Sequence, residues 1–563
     1  MHPVRKLTAI VIQLAVIATF TFNTASARSN GGRDLIKPEE LKEWLSFISS
    51  DDFEGRDTFS EGLGMTAMYL ASQLKSWGVK PGGPNGSYFQ RVPVLSVKAD
   101  NRSTVTVEVG GESRTFKHSE GATFSANVGA KRTFTGDQIE FAGYGLHAPP
   151  THDDFAKKNV RGKMVVYLGG LGGPKGLDPS NRRLVLNRAR TITDQLGATA
   201  AIGPDIVFTP VRRGNSESQT ERPDFITAER IDREIPPIVA AKDELLEFLF
   251  SQSEVKYADL KIKADQGEPL PSFTLKNVRI TFNIDADNRV IRTQYTRNVI
   301  GIVEGSDAQL KGTYVAFGAH YDHVGYSEGE ITETPQGPRM KTPRGRIGQG
   351  AGADRIWNGA DDDGSGTIAI LAIAKAFARG KRPRRSLIFV WHTGEEKGLW
   401  GSRHFADNPT VPIESIVAQV NMDMVGRNFK GEEQFANHIF IVGADRISTE
   451  LHNITIDANQ SLAKPIDLDF AMNDPGDPEQ IYYRSDHYSY AARGIPVVFF
   501  FSGIHPDYHG NTDHVDKINF DKMTRVSQMA YEIGERVANM TRPPARDNRG
   551  PRAGKGSSGK LSL

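Results

Sequence analysis

Four near-continuous apolar runs stand out in the second half of the chain. They are Tyr314-Val315-Ala316-Phe317, Ser386-Leu387-Ile388-Phe389-Val390-Trp391, Ile416-Val417-Ala418-Gln419-Val420 and Pro496-Val497-Val498-Phe499-Phe500-Phe501. Runs apolar at successive positions predict strands covered on both faces, the habit of parallel sheets. Helical spacing recurs around them: an apolar stretch over 367–378, and a last helix with Val526, Met529, Ile533, Val537 and Met540 on one side. Upstream the pattern changes. Residues 34–80 read as helical, with Ala67, Leu70, Ala71, Leu74 and Trp77 on one face before Gly78. Residues 90–136 alternate apolar and polar, and Thr104-Val105-Thr106-Val107-Glu108-Val109 before Gly110-Gly111 predicts a hairpin. Strands over 164–168 and 198–202, with a Pro/Arg-rich loop at 204–224, mark 137–270 as a separate α/β unit.

The expected fold is therefore α/β, with a mixed, mainly parallel sheet flanked by helices and a smaller, separate α/β unit. The expected division is 28–136 as an N-terminal segment packed on the main domain, 137–270 as that unit, and 271–540 as the main domain. Residues 541–563, with six basic residues, one acid and much Gly, Pro and Ser, are expected to be a disordered basic tail. At the other end, Arg5 and Lys6 precede an apolar run over 7–22 and then Ala25-Ser26-Ala27, a small-x-small cleavage pattern. Residues 1–27 read as a signal peptide rather than an uncleaved anchor, because polar residues interrupt the run. No later segment has the apolar length to span a bilayer, so no stable membrane insertion is expected after cleavage.

Composition narrows the chemistry. Lys+Arg is 69 against Asp+Glu 68, a net charge of +1, which argues against nucleic-acid binding through a basic surface. There are no cysteines among the 563 residues. That excludes disulfides, a thiol nucleophile and thiolate metal sites together, so any metal is held by His and carboxylates. Export without disulfides suits a bacterial periplasm or medium.

Ten of the 14 histidines lie after residue 319, and each apolar run leads into acids or histidines. The first leads to His320-Tyr321-Asp322-His323, the second to His392-Thr393-Gly394-Glu395-Glu396, the third to Asn421-Met422-Asp423, and the fourth to His505-Pro506-Asp507-Tyr508-His509. Open α/β sheets bind ligands beyond the carboxyl ends of their strands, so these clusters are expected to converge at one edge. A fifth cluster, Asn358-Gly359-Ala360-Asp361-Asp362-Asp363-Gly364-Ser365-Gly366, precedes the 367–378 helix. Three adjacent acids repel one another unless cations offset them. Alone, such a run could be a solvated turn at a helix N-terminus; beside His320 and Glu396 it reads as metal-binding.

Two histidines and three carboxylates suit two divalent ions that share a carboxylate. The His donors favour zinc, with manganese or cobalt compatible. Each metal would take one His and one further acid. A carboxylate bound to neither metal must then take the proton of the activated water. In Glu395-Glu396, adjacent side chains point different ways, so one can bind metal while its neighbour faces the water.

Five motifs in order across 300–520 resemble the M28 family of secreted metallo-aminopeptidases: His-x-Asp, Gly-Ala-x-Asp-x-Gly-Ser-Gly, Gly-Glu-Glu, x-Met-Asp-Met and Tyr-His. Residues 137–270, with Phe141-Ala142-Gly143-Tyr144-Gly145, resemble the protease-associated insert of one branch. Residues 40–95, with Phe53-Glu54-Gly55-Arg56 and Gly82-Gly83-Pro84-Asn85-Gly86-Ser87-Tyr88, resemble the segment that precedes it. The resemblance implies a zinc exopeptidase-like fold and two Zn2+ per chain. It implies His320 and Asp423 as ligands of the first zinc, Glu396 and His509 of the second, and Asp362 as the bridge. It further implies Glu395 as general base, Asp322 as the acid orienting the His320 imidazole, and Tyr508 as a group stabilising the oxyanion. Asp361 and Asp363 flank Asp362 where the family more often has Asn, so which of the three bridges is open at this point.

The remaining histidines take structural roles in this reading. His323 shapes its loop rather than binding metal, and His392 is buried and hydrogen-bonded. Ser485-Asp486-His487 forms a wall or a supporting element. His505 and His514 flank the His509 loop, and the tyrosine before His509 together with the family match decides for His509. His118, His147 and His152 lie outside the catalytic segment. Residues 326–357, nine of 32 being Gly or Pro, form either a solvated surface loop or a flap at the active-site mouth.

The function expected is release of N-terminal residues from peptides. Carboxypeptidase or dipeptidase activity on the same site is the near alternative, and a metal-free binding scaffold the distant one. Ser365, in Asp-Gly-Ser-Gly-Thr, does not sit in a nucleophile elbow.

Overall fold

The computed structural model describes residues 32–125, 127–149, 151–205 and 224–548. The signal-peptide segment 1–27, most of the 204–224 loop and residues 549–563 of the tail lie outside the described residues. The apolar runs become strands of one ten-stranded sheet. Its strands are β1 (Phe89–Asn101), β2 (Ala286–Val303), β3 (Tyr314–His320), β4 (Ser386–His392), β5 (Ile416–Met422), β6 (His438–Val442), β7 (Asp467–Asp469) and β8 (Val497–Phe501). After a short edge strand, Asp224–Thr227, the order is β1-β2-β4-β3-β5-β8-β6-β7, and Lys80–Pro81 pairs with β2. Side by side at the centre, β4, β3, β5 and β8 run parallel. The flanking strands β2 and β6 are antiparallel to their neighbours β4 and β8.

Every residue of β4, β5 and β8 is buried, because both faces of the sheet are covered. One face carries α1 (Pro38–Ile48), α2 (Glu61–Ser76), α3 (Gly366–Arg379), α4 (Thr449–Gln460) and α5 (Phe520–Asn539). Leu45, Leu70, Phe317, Phe377, Phe389, Leu451 and Met529 share one core there. The predicted single helical stretch 34–80 is in fact α1 and α2 separated by a tight turn over Asp51–Arg56, where Glu54 and Gly55 take positive φ. The other face packs Phe405, Tyr482, Tyr490 and Phe499.

A second ten-stranded sheet runs from Ser272–Leu275 at one edge to Arg132–Gly136 at the other. Its centre is the parallel set Ile139–Ala142, Met164–Val166, Ala200–Pro204 and Ile238–Ala241. The expected insert boundaries, 137 and 270, cut through this sheet. The hairpin Thr104–Val109/Glu112–His118 and the strand Val278–Ile284 belong to it too. Alternation marks which face of a strand is buried but not which sheet the strand joins, so the boundary was not visible. The chain leaves the main sheet at Asn101, adds the edge strand Asp224–Thr227 on the way, and rejoins at Ala286, opposite Asn101.

Residues 541–548, expected to begin the disordered tail, are instead tied to α4. Arg542 pairs with Glu450 at 2.7 Å, and Asp547 accepts the Thr449 N–H at 2.8 Å. An acid at a helix N-terminus meets the positive end of its dipole. Among the described residues no helix is long and apolar enough to cross a membrane.

Candidate metal centre

The four central parallel strands deliver their polar followers to one edge. His320 ends β3, Glu395 and Glu396 follow β4, Asp423 follows β5, and Tyr508 and His509 lie beyond β8. Asp362 comes from the turn that opens α3. Its carboxylate lies between two imidazoles: Oδ1 is 3.3 Å from His320 Nε2 and Oδ2 is 3.1 Å from His509 Nε2. Asp423 Oδ1 is 3.6 Å from His320 Nε2, and Glu396 Oε2 is 3.1 Å from His509 Nε2. Glu395 Oε2 stands off at 4.0 Å from His320 Nε2. All the residues expected in the site are thus together. His320–Asp363–Asp423 and His323–Asp362–Glu396 also gather donor atoms within 4.8 Å of one another.

The acids flanking Asp362 accept hydrogen bonds from the surrounding backbone and from Ser365. Asp363 accepts N–H groups from His320, Gly366 and Met424, at 3.1, 2.9 and 3.0 Å. Asp361 accepts from Gly426 N–H at 2.7 Å and Ser365 Oγ at 2.9 Å. Both tie the α3 turn to the ends of β3 and β5, while Asp362 faces His320 and His509.

Asp322 departs from expectation. The His320 Nδ1 meets the Asp322 backbone carbonyl at 3.0 Å, while the carboxylate Oδ1 is 3.8 Å away. That carboxylate accepts from Thr58 Oγ1 and from the Glu395 N–H, each at 3.1 Å. A two-residue spacing brings both the carbonyl and the carboxylate near the ring, and only the structure tells them apart. Burial raises the Asp322 carboxyl to about 6.

The electrostatics describe a centre short of positive charge. Burial, then Glu396 and Asp423, push the Glu395 carboxyl well up, with His320 opposing. Burial lowers the His509 imidazole, but the Asp362 and Glu396 carboxylates outweigh it and raise the ring to about 10. Asp362 Oδ2 is buried without a well-aligned hydrogen bond although His509 Nε2 is close. A buried carboxylate oxygen left without a hydrogen bond 3.1 Å from an imidazole nitrogen fits a shared cation. The donor set, all nitrogen and oxygen, fits Zn2+.

Beside these groups a cleft of about 380 Å³ is walled by Met424, Ile481, Phe499, Phe501, Ser485, Arg484 and Tyr508. Arg484 donates to Glu479 at 2.8 Å and lies 3.4 Å from the Tyr508 hydroxyl. The Tyr508 ring stacks on His509, centroids 4.0 Å apart.

His392 is buried as expected, 3.0 Å from the Tyr490 hydroxyl and 3.3 Å from Asp486. His487 meets the Tyr482 carbonyl at 2.8 Å. His505 faces Asp361, and half-exposed His514 faces Asp354, so neither competes with His509. His118 accepts the Phe124 N–H, and His147 and His152 pair with Asp153 and Asp154.

Two supports escaped the sequence reading. Arg56 is fully buried and donates to the carbonyls of Ile48, Tyr321, Asn358 and Gly359, at 2.7–3.2 Å. It thereby clamps the turn after β3 to the turn that carries Asp362. The Phe53-Glu54-Gly55-Arg56 motif was its only signal. Segment 326–357 is largely exposed, and Arg346 ties it to the loop that carries His509. The Arg346 N–H donates to the His509 carbonyl, and its Nε to the Tyr508 carbonyl, each at 2.7 Å. His509 has φ 52, a left-handed conformation costly for a non-glycine residue, and these bonds hold it there.

Comparison with known proteins bears on the same region. Residues 298–533 match Peptidase family M28. A probable leucine aminopeptidase of Trichophyton verrucosum is 28% identical over 243 residues, covering 41% of this chain and 55% of that protein. A probable leucine aminopeptidase of Arthroderma benhamiae is 30% identical over 182 residues, covering 31% and 46%. The chain thus spans about half the length of the curated relatives it matches. The solved structure of a zinc aminopeptidase from Bacillus subtilis aligns over 91% of this chain and 98% of its own, with 17% identity and a TM-score of 0.42.

Proposed function

We propose, from the match of residues 298–533 to Peptidase family M28, that the chain is an exported exopeptidase holding two zinc ions and releasing N-terminal residues from peptides. The observation that carries this is Asp362 spanning His320 and His509 while Glu395 stands beside them, bonded to neither. His320 and Asp423 would hold one ion, His509 and Glu396 the other, with Asp362 common to both. When bound, such a pair polarises a carbonyl and makes a bound water acidic near neutral pH.

The chain's own groups account for the rest. Glu395 takes a proton from water and passes it to the leaving amine. A carboxyl pushed up by burial holds that proton between the two transfers. Asp322, through the Glu395 N–H, fixes where the base stands. The Tyr508 hydroxyl, kept protonated by burial, donates to the developing oxyanion.

The cleft favours an amine over a carboxylate. Glu395 and Asp423 line it, and its cation, Arg484, is already paired with Glu479. Met424, Ile481, Phe499 and Phe501 suit an apolar first side chain. The Arg5/Lys6, 7–22 and Ala25-Ser26-Ala27 pattern supports secretion or a periplasmic location.

The test is hydrolysis of a leucine-initiated tripeptide, free and N-acetylated, with and without a zinc chelator. We expect the free peptide alone to lose its first residue, and the chelator to abolish this. Cleavage of both forms from the carboxyl end would replace the aminopeptidase reading with a carboxypeptidase one. No cleavage by zinc-loaded protein would sink both.

A further inference from the structure

On sequence alone His323 reads as a loop-shaping residue, but its ring lies inside the centre. It is fully buried. Its Nδ1 is 2.9 Å from Glu396 Oε1 and 3.9 Å from Asp362 Oδ2. Glu396 therefore faces two imidazoles with its two oxygens, Oε1 toward His323 and Oε2 toward His509, the latter at 3.1 Å.

The tautomer follows from the surroundings. His323 Nε2 is buried with no hydrogen-bond partner. Nδ1, by contrast, faces a carboxylate oxygen that can only accept, so Nδ1 must carry a proton. Nδ1–H is then a donor to Glu396 Oε1, 2.9 Å away, and that nitrogen is removed as a metal donor. Nor is the ring free to drift. The His323 peptide N–H donates to the Arg56 carbonyl at 3.0 Å, and its backbone bridges to Asp57. Its ring meets that of His509 edge-on, with centroids 5.9 Å apart.

We propose that His323 is a positioning residue of the second metal site. Its Nδ1–H holds Glu396 Oε1, so that Oε2 alone is turned to the ion shared with His509 and Asp362. The proposal rests on the two-zinc reading above. A ligand held this way loses no rotamer freedom when the ion binds, and removing such a partner typically costs 10- to 100-fold in metal affinity. The N-terminal segment enters the chemistry by this route: Arg56 and Asp57 fix the backbone of His323, His323 fixes Glu396, and Glu396 holds the ion.

The experiment is zinc titration of the full chain against a chromophoric chelator, for wild type, His323→Phe and His323→Asn, with thermal melts of the metal-free forms. Wild type is expected to bind two ions. His323→Phe should keep one at wild-type affinity and weaken the other roughly 10- to 100-fold, and His323→Asn, which retains an N–H donor, should recover part of the loss. A merely structural role would lower the metal-free melting temperature and leave both affinities alone. Two ions bound by His323→Phe at wild-type affinity overturn the proposal. If that variant does not fold, His323→Ala serves in its place under the same criterion. Wild type that binds one ion or none overturns the two-zinc reading, and this inference with it.

Discussion

Two adjacent glutamates sit under opposite fields. Burial and Asp362 push Glu396 upward, yet His323 and His509 outweigh them and it falls to about 2, a carboxylate fit for a cation. Burial, Glu396 and Asp423 push Glu395 well up despite His320, a carboxyl fit to carry a proton. Replacing Glu395 by Gln keeps the shape and removes the base. We expect kcat to fall by about 10²–10⁴-fold, the usual contribution of a general base, with bound zinc unchanged by elemental analysis. A variant that keeps most of its kcat would assign the proton transfer elsewhere. That the two glutamates face different groups was legible from the pair itself, because neighbouring side chains diverge. What Asp322 does was not. Its carbonyl and its carboxylate are equally placed by sequence, and the choice between them is made by Thr58, far away in the chain.

At the scale of elements, legibility depended on whether a pattern names a partner. Continuous apolar runs implied parallel strands covered on both faces, and β4, β3, β5 and β8 are that. The alternating strand Thr104–Val109 implied one buried face but not its sheet, so the insert was drawn too short. Segment 326–357 has no periodicity to read, since its role lies in single backbone bonds. Its Arg346 grips the Tyr508 carbonyl with two guanidinium nitrogens. Arg346→Ala removes that grip and keeps the Arg346 N–H bond to His509. We expect kcat/KM to fall about tenfold, the 1.4 kcal/mol equivalent of one charged hydrogen bond to a carbonyl, with the melting temperature nearly unchanged. An unaltered kcat/KM would return the segment to the status of a surface loop.

At the scale of the whole molecule, charge joins the parts and burial sets the stability. The second sheet joins the first through neighbouring strands β1 and β2, and Arg183 pairs at 3.2 Å with Glu479, the same carboxylate that holds Arg484 of the cleft wall. Below the metal centre, Lys522 of α5 is wholly buried, its Nζ donating to the Arg427 carbonyl at 2.7 Å. Burial lowers its ammonium from 10.5 to about 7, and Asp361 offsets only part of this. Between those two values the unfolded chain binds a proton that the folded chain does not, so stability rises with pH through that window. Below about 7 the folded chain carries the full cost of a buried ammonium. Lys522→Met removes this dependence. The variant should therefore be more stable than wild type at about pH 6, by a margin that shrinks as the pH approaches about 10. Denaturant melts of both proteins across that range measure the margin. A margin that stays constant, or grows with pH, would mean that Lys522 keeps its proton in the fold.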